Sequence, residues 1–178
     1  MRKYIHYFDR IVIKQVLRLP SWTRPVMLFA TLLGQPPITV GLATGIIGFA
    51  IARENSLFLW LGIVAIVTFA ASSIMKIWLR RDRPDNEYVR NMIIHTFSFP
   101  SGHAAGSVAS FSLLVYVAAA MYPPATIVVL VGVVVACLLI GVSRVYLGAH
   151  YPSDVVGGWI VGGIGVTVMI AITIESSL

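Results

Sequence analysis

Three short stretches hold most of the side chains able to do chemistry: Lys76 with Arg83-Pro84, then Pro100-Ser101-Gly102-His103, then Ser143-Arg144 with His150 and Asp154. Each lies at the end of a long apolar run. An ionised side chain near hydrocarbon costs several kcal/mol unless it is paired or faces a polar cavity, so these groups are functional candidates by default. If the helix before the first stretch continues through it, Lys76, Arg80 and Arg83 fall at i, i+4 and i+7, within about 40° of one another, while Arg81 points away. Pro84 biases Arg83 out of the helical region, and a cationic stripe alone fits an interfacial anchor equally well.

Pro100-Ser101-Gly102-His103 reads as a helix start, with a capping serine and a glycine that lets backbone come close to a ligand. Free amides there, aided by the helix dipole, bind phosphate oxygens, and His103 sits in the first turn beside them. In the third stretch Gly148 breaks the helix before His150, and Pro152 starts the next. Asp154 then lies within reach of His150, one turn on or across the helix start. A carboxylate on one ring nitrogen fixes the tautomer, frees the other nitrogen as a nucleophile, and stabilises the positive ring formed on attack. The plainer alternative is an ion pair closing a buried helix end; Arg144 in the same segment favours chemistry.

Together these parts suit phosphoryl transfer. Cations and amides neutralise the equatorial oxygens, one imidazole attacks in line, and the other protonates the leaving oxygen. The sequence implies no cofactor and no metal, because carboxylates are few and the surrounding positive charge would repel Mg²⁺ or Zn²⁺.

The positioning elements follow from hydrophobicity. The 178 residues are 58% hydrophobic and only 11% charged, against roughly one-quarter charged in soluble domains, so the chain belongs in a membrane. Each span needs about 20 apolar residues, which leaves room for about five. The expected fold is an all-α polytopic membrane helix bundle, with an amphipathic interfacial arm over residues 1–24 and a transmembrane domain over 25–178. The arm shows Ile5, Phe8, Val12, Val16 and Leu19 at helical spacing, with Asp9, Arg10, Lys14 and Arg18 largely elsewhere, and no cleavable signal fits; the helix is expected to lie on the membrane, the alternative being one packed on the end of the bundle. Apolar runs cover 25–51, broken at Gly34-Gln35-Pro36-Pro37, then 57–79, 101–121, 125–144 and 153–174. Gly158 and Gly162 have the spacing that lets helices approach closely, read here as packing inside one chain. Cys137 is read as packing too. Each crossing reverses sides, so all three stretches converge on one face.

The net charge of +6 does not indicate nucleic acid, since the basic residues gather at membrane boundaries. The implied partners are the lipid bilayer and a membrane lipid phosphate; oligomeric state is not encoded legibly.

At these residues the chain resembles the type 2 phosphatidic acid phosphatase superfamily, whose three-part signature it matches at full spacing. The resemblance implies a phosphohistidine mechanism: His150 as nucleophile, Asp154 orienting it, His103 as acid for the leaving group, and Lys76, Arg83, Ser101, Gly102 and Arg144 holding phosphate. Arg80 joins that set on helical geometry alone. The short chain is similar to bacterial members acting on undecaprenyl pyrophosphate, phosphatidylglycerophosphate, phosphatidic acid or lipid A in the cytoplasmic membrane. Transfer to another lipid and a non-catalytic lipid-binding role are the rival readings. Relatives put the site outside the cytoplasm, whereas every Lys and Arg except Arg53 falls on the site face, which the positive-inside rule would make cytoplasmic.

Overall fold

A computed structural model describes residues 2–92 and 95–177. The described residues form eight α-helices and no strand: α1 (Arg2–Val16), α2 (Arg24–Leu33), α3 (Pro36–Ala52), α4 (Ser56–Leu79), α5 (Glu87–Arg90), α6 (Gly102–Met121), α7 (Thr126–Tyr146) and α8 (Pro152–Glu175). Four of them, α4, α6, α7 and α8, are long and apolar enough to cross a membrane, and α2 with α3 makes a fifth span bent by 43°. The bend falls at Gly34-Gln35-Pro36. Pro36 cannot donate to the preceding turn, so Gln35 is extended (φ −67°, ψ 146°) and α3 starts afresh.

Local chemistry sets the other boundaries. Asn55 caps α4 by accepting from the Phe58 amide at 3.1 Å, and Ser101 caps α6 by accepting from the Ala104 amide at 3.5 Å. Pro152 opens α8 at a position where a missing N–H costs nothing. After α7, Gly148 takes φ +68°, and an added Cβ would stand 2.6 Å from the Asn86 side chain. Asn86 in turn donates to the Gly148 carbonyl at 2.7 Å, so turn and loop fix each other.

Helix α6 lies at the centre, with Ala104, Ala105, Ala109 and Leu113 fully buried. Helix α8 packs closest to it. A Cβ on Gly158 would meet the Ser101 carbonyl at 2.5 Å, and one on Gly162 would meet Val108 at 2.6 Å, so the small-residue stripe is consumed within the chain. Helix α7 turns Ile127, Val128 and Val131 outward, at 74%, 72% and 57% exposure. Such a face suits lipid, because hydrocarbon exacts no penalty for it.

One expectation needs correction. Helix α4 ends at Leu79, as its apolar run does, and does not continue into the basic cluster, because Arg80 adopts the left-handed conformation (φ 44°, ψ 42°). The stripe of Lys76, Arg80 and Arg83 therefore does not form, and Arg81, expected to point away, turns inward. The arm is helical over Arg2–Val16; Ile13 and Val16 pack toward Val145 and Val155, while Ile5, Phe8 and Ile11 stay exposed.

Candidate active site

The site lies where the ends of α4 and α7 meet the starts of α6 and α8. His150 sits in the connector that Gly148 opens, is 2% exposed, and has its amide bonded to the Arg144 carbonyl at 3.2 Å. Its Nε2 stands 3.2 Å from Arg83 Nη1. A guanidinium only donates, so Nε2 is the acceptor and the ring proton belongs on Nδ1. Nδ1 lies 3.6 Å from Asp154 Oδ2, longer than a hydrogen bond, and has no hydrogen-bond partner. Burial, with Arg83, Arg144 and Lys76 nearby, holds the His150 pKa well below its usual value, so the ring is neutral at physiological pH.

Asp154, fully buried, is held at both oxygens. Oδ2 accepts from the Tyr151 amide at 2.9 Å, and Oδ1 accepts from Arg81 Nη1 at 2.7 Å. Its backbone carbonyl accepts from the Ser101 amide at 2.9 Å, tying the start of α8 to the start of α6. The other Arg81 amino group donates to Asp9 at 2.8 Å, a residue of the arm that is only 3% exposed. Ser98 pins the turn by donating from Oγ to the carbonyls of Arg81 and Asp82, both at 3.0 Å.

Arg83 is fixed independently of His150. Its Nε and Nη2 donate to the carbonyl and hydroxyl of Thr96 at 2.7 and 3.1 Å, and Nη1 also donates to the Ala149 carbonyl at 2.9 Å. The Lys76 ammonium donates to the Pro100 carbonyl and lies 3.4 Å from that of Phe97. Its stem passes beside Gly102, where a Cβ would be 3.7 Å from Lys76 Cε. The first amides of α6, those of Gly102 and His103, have no acceptor one turn earlier in the helix. His103 packs beside Gly34, whose added Cβ would lie 3.2 Å from the imidazole. The break in the first span is therefore a wall of the site.

Among the described residues, Arg144 is the largest fully buried side chain. It donates to the Thr31 hydroxyl of α2, lies 3.3 Å from the Tyr88 hydroxyl of α5, and leaves its Nε unpartnered. A buried guanidinium with an orphan N–H beside two histidines has a donor that an anion could take. Among the described residues, no three His, Cys, Asp and Glu side chains stand close enough to share a metal ion.

Of the residues singled out in the sequence, Lys76, Arg83, Ser101, Gly102, His103, Arg144, His150 and Asp154 come together here. Arg80 does not: it is exposed, and its Nε donates back to the Ile77 carbonyl at 3.1 Å. Sequence reasoning missed Arg81, Asp9, Thr31 and Tyr88. Only Asp9 left a signal, as the sole carboxylate before Glu54 in a segment rich in Lys and Arg.

The sequence model of the PAP2 superfamily matches residues 57–176. The chain is 30% identical to phosphatidylglycerophosphatase B of Bacillus subtilis, over 83% of this chain and 73% of that one. It is 34% identical to decaprenylphosphoryl-5-phosphoribose phosphatase of Mycobacterium tuberculosis, over 64% of this chain and 59% of the relative. In structure it is similar to a crystallised transmembrane PAP2 type phosphatidylglycerolphosphate phosphatase from Bacillus subtilis, with a TM-score of 0.78 at 24% identity, covering 97% of this chain and 87% of that one.

Proposed function

Because this chain belongs to the PAP2 superfamily and is an integral membrane protein, we propose that it hydrolyses the terminal phosphate of a membrane lipid phosphate or diphosphate through a phosphohistidine on His150. One observation carries the proposal: a buried neutral imidazole stands between a carboxylate at Nδ1 and a guanidinium at Nε2.

Phosphate occupies the space between Arg83, Lys76, Arg144 and the first amides of α6. An equatorial oxygen takes the Arg83 Nη1 bond, and phosphorus then faces Nε2. Attack forms the N–P bond and breaks the bond to the leaving oxygen, which takes its proton from His103, charged once the phosphate dianion has seated beside it and offset the surrounding cations. Asp154 stabilises the positive ring, and water activated by His103 returns the phosphate and frees the enzyme.

The lipid tail stays in the bilayer. An apolar groove of about 290 Å³, lined by Val108 of α6, Val133 and Cys137 of α7 and Trp159 of α8, offers it room in the spanning region. Both relatives above act, by their names, on phosphate carried by a lipid, one on a glycerolipid and one on a polyprenyl chain. We place the site on the extracytoplasmic face, as the resemblance implies. Lys76, Arg81, Arg83, Arg90 and Arg144 are engaged within the site or its loop and weigh little in a count of topology charges, although the other seven site-face cations still oppose Arg53 alone. An impermeant thiol reagent should label Asn91→Cys in intact cells; labelling only after lysis would reverse the orientation.

The activity is tested by phosphate release from undecaprenyl diphosphate, phosphatidylglycerophosphate, phosphatidic acid and lipid A by detergent-purified protein, beside His150→Ala. Turnover by the wild type alone supports the reading, and a ten-fold preference, about 1.4 kcal/mol in transition-state binding, names the substrate class. Equal rates in the two proteins would overturn it.

A further inference from the structure

Asp9 is out of place on an amphipathic arm. Its neighbours Arg10 and Lys14 are exposed, while Asp9 is 3% exposed and turned into the protein. It makes three short bonds there. Oδ1 accepts from the Ser153 amide at 2.8 Å, and Oδ2 accepts from the Ser153 hydroxyl at 2.9 Å and from Arg81 Nη2 at 2.8 Å. The first of these caps α8, whose own N-cap residue, Tyr151, supplies no side-chain cap. The arm therefore finishes the helix that carries Asp154.

We propose that Asp9 and Arg81 are positioning residues for His150, acting through Asp154, so that docking of the arm completes the catalytic centre. The inference rests on the reading of His150 as nucleophile. The path runs from Asp9 Oδ2 to Arg81 Nη2 at 2.8 Å, from Arg81 Nη1 to Asp154 Oδ1 at 2.7 Å, and then across a 3.6 Å gap, with no hydrogen bond, from Asp154 Oδ2 to His150 Nδ1. Arg81 is gripped by Asp9, by Asp154, by Ser153 Oγ at 2.6 Å and by the Tyr151 ring, 4.3 Å beneath the guanidinium. With Oδ1 so held and Oδ2 on the Tyr151 amide, the Asp154 carboxylate cannot rotate away from His150.

Charge sharing is the second half of the argument. One guanidinium serves two carboxylates, so Asp154 keeps enough negative charge to stabilise an imidazolium on its other side. Neutralising Asp9 puts the Arg81 charge wholly on Asp154 and removes an anchor from a side chain that is already 24% exposed. Both changes weaken Asp154 as the partner of a positive ring. Ground-state phosphate binding, which falls to Arg83, Lys76 and Arg144, is untouched.

The test uses full-length protein in detergent with phosphatidic acid in mixed micelles, and compares Asp9→Asn, Asp9→Glu, Arg81→Gln and the Asp9→Asn/Arg81→Gln pair. Asp9→Asn should lower kcat about ten-fold, the scale at which partners that orient a histidine act, with KM unchanged within about two-fold. Asp9→Glu, which keeps the charge on a longer stem, should recover part of the loss. The double variant should lose less than the product of the two single losses, because Asp9 and Arg81 act on the same Asp154 carboxylate.

A merely structural role would lower the folded fraction and thermal stability together with kcat, and would leave Glu no better than Asn. That pattern, an unchanged kcat in Asp9→Asn, or losses that multiply in the double variant would each overturn the proposal. Alkaline-quenched wild type reports on the underlying reading: no phosphate on His150 would overturn both, whereas labelled His150 with an unaffected Asp9→Asn would overturn the positioning alone.

Discussion

Arg83 Nη1 and His150 Nε2 stand 3.2 Å apart, with the guanidinium directed at the nitrogen that is free to attack. The contact fixes the tautomer and, on the proposed attack by Nε2, puts the cation beside an equatorial phosphate oxygen. The Thr96 and Ala149 bonds hold Arg83 there without help from the imidazole. Arg83→Ala should therefore lower kcat/KM on the order of 10²-fold or more, the scale seen when one donor to a developing charge is removed. Arg83→Lys should restore little, since an ammonium cannot bridge Thr96, Ala149 and a phosphate oxygen together. Steady-state phosphate release checks this, and full activity in the lysine variant would contradict it.

Asp154→Asn keeps the shape and removes the charge that would steady a positive His150. A loss in kcat on the order of 10³–10⁴-fold is expected, as for the acid of a nucleophile–histidine–acid triad. Steady-state kinetics should show it mainly in kcat.

The pH dependence of stability follows from His150. Its folded pKa lies well below 6.5, while the unfolded chain titrates near that value. The unfolded state then binds the extra proton, so this contribution is intact above about pH 6.5 and is lost as pH falls below it. Thermal unfolding at pH 5 and pH 7.5 should show a larger acid loss in the wild type than in His150→Asn. Equal losses would contradict the buried neutral imidazole.

Gly158→Ala should destabilise the protein by about 1–3 kcal/mol, as overpacking of a tight contact does. The new methyl would meet the Ser101 carbonyl at 2.5 Å and Ala104 Cβ at 2.8 Å. Backbone has to shift, and with it the Ser101–Asp154 link between the two helix starts. Activity should fall with the melting temperature, whereas Gly163→Ala, with open space at its Cβ, should leave both near wild type.

Chelation should leave turnover unchanged, and vanadate, which mimics the five-coordinate phosphorus, should compete with substrate. Loss of activity in EDTA that Mg²⁺ restores would contradict a mechanism built on His150, Arg83 and Arg144 alone.

The spans were legible in the sequence to within about two residues because apolar runs and capping residues mark their ends. Convergence of the three stretches followed from counting crossings. What was illegible depends on contacts between distant segments. Arg80 and Arg81 exchange places because Ser98, Asp154 and Asp9 hold Arg81, and no periodicity of α4 contains that information. Thr31 and Tyr88 reach Arg144 from a bent helix and a loop helix of four residues, neither with a pattern that points at a site.

The most direct test of His150 as nucleophile is alkaline quenching of the protein during turnover of a lipid diphosphate, followed by mass-spectrometric mapping of the labile phosphate. Phosphate on the peptide containing His150, attached at Nε2 and absent from His150→Ala, is the predicted result. Turnover with no phosphate on His150, or with phosphate on His103 or at Nδ1, would contradict it.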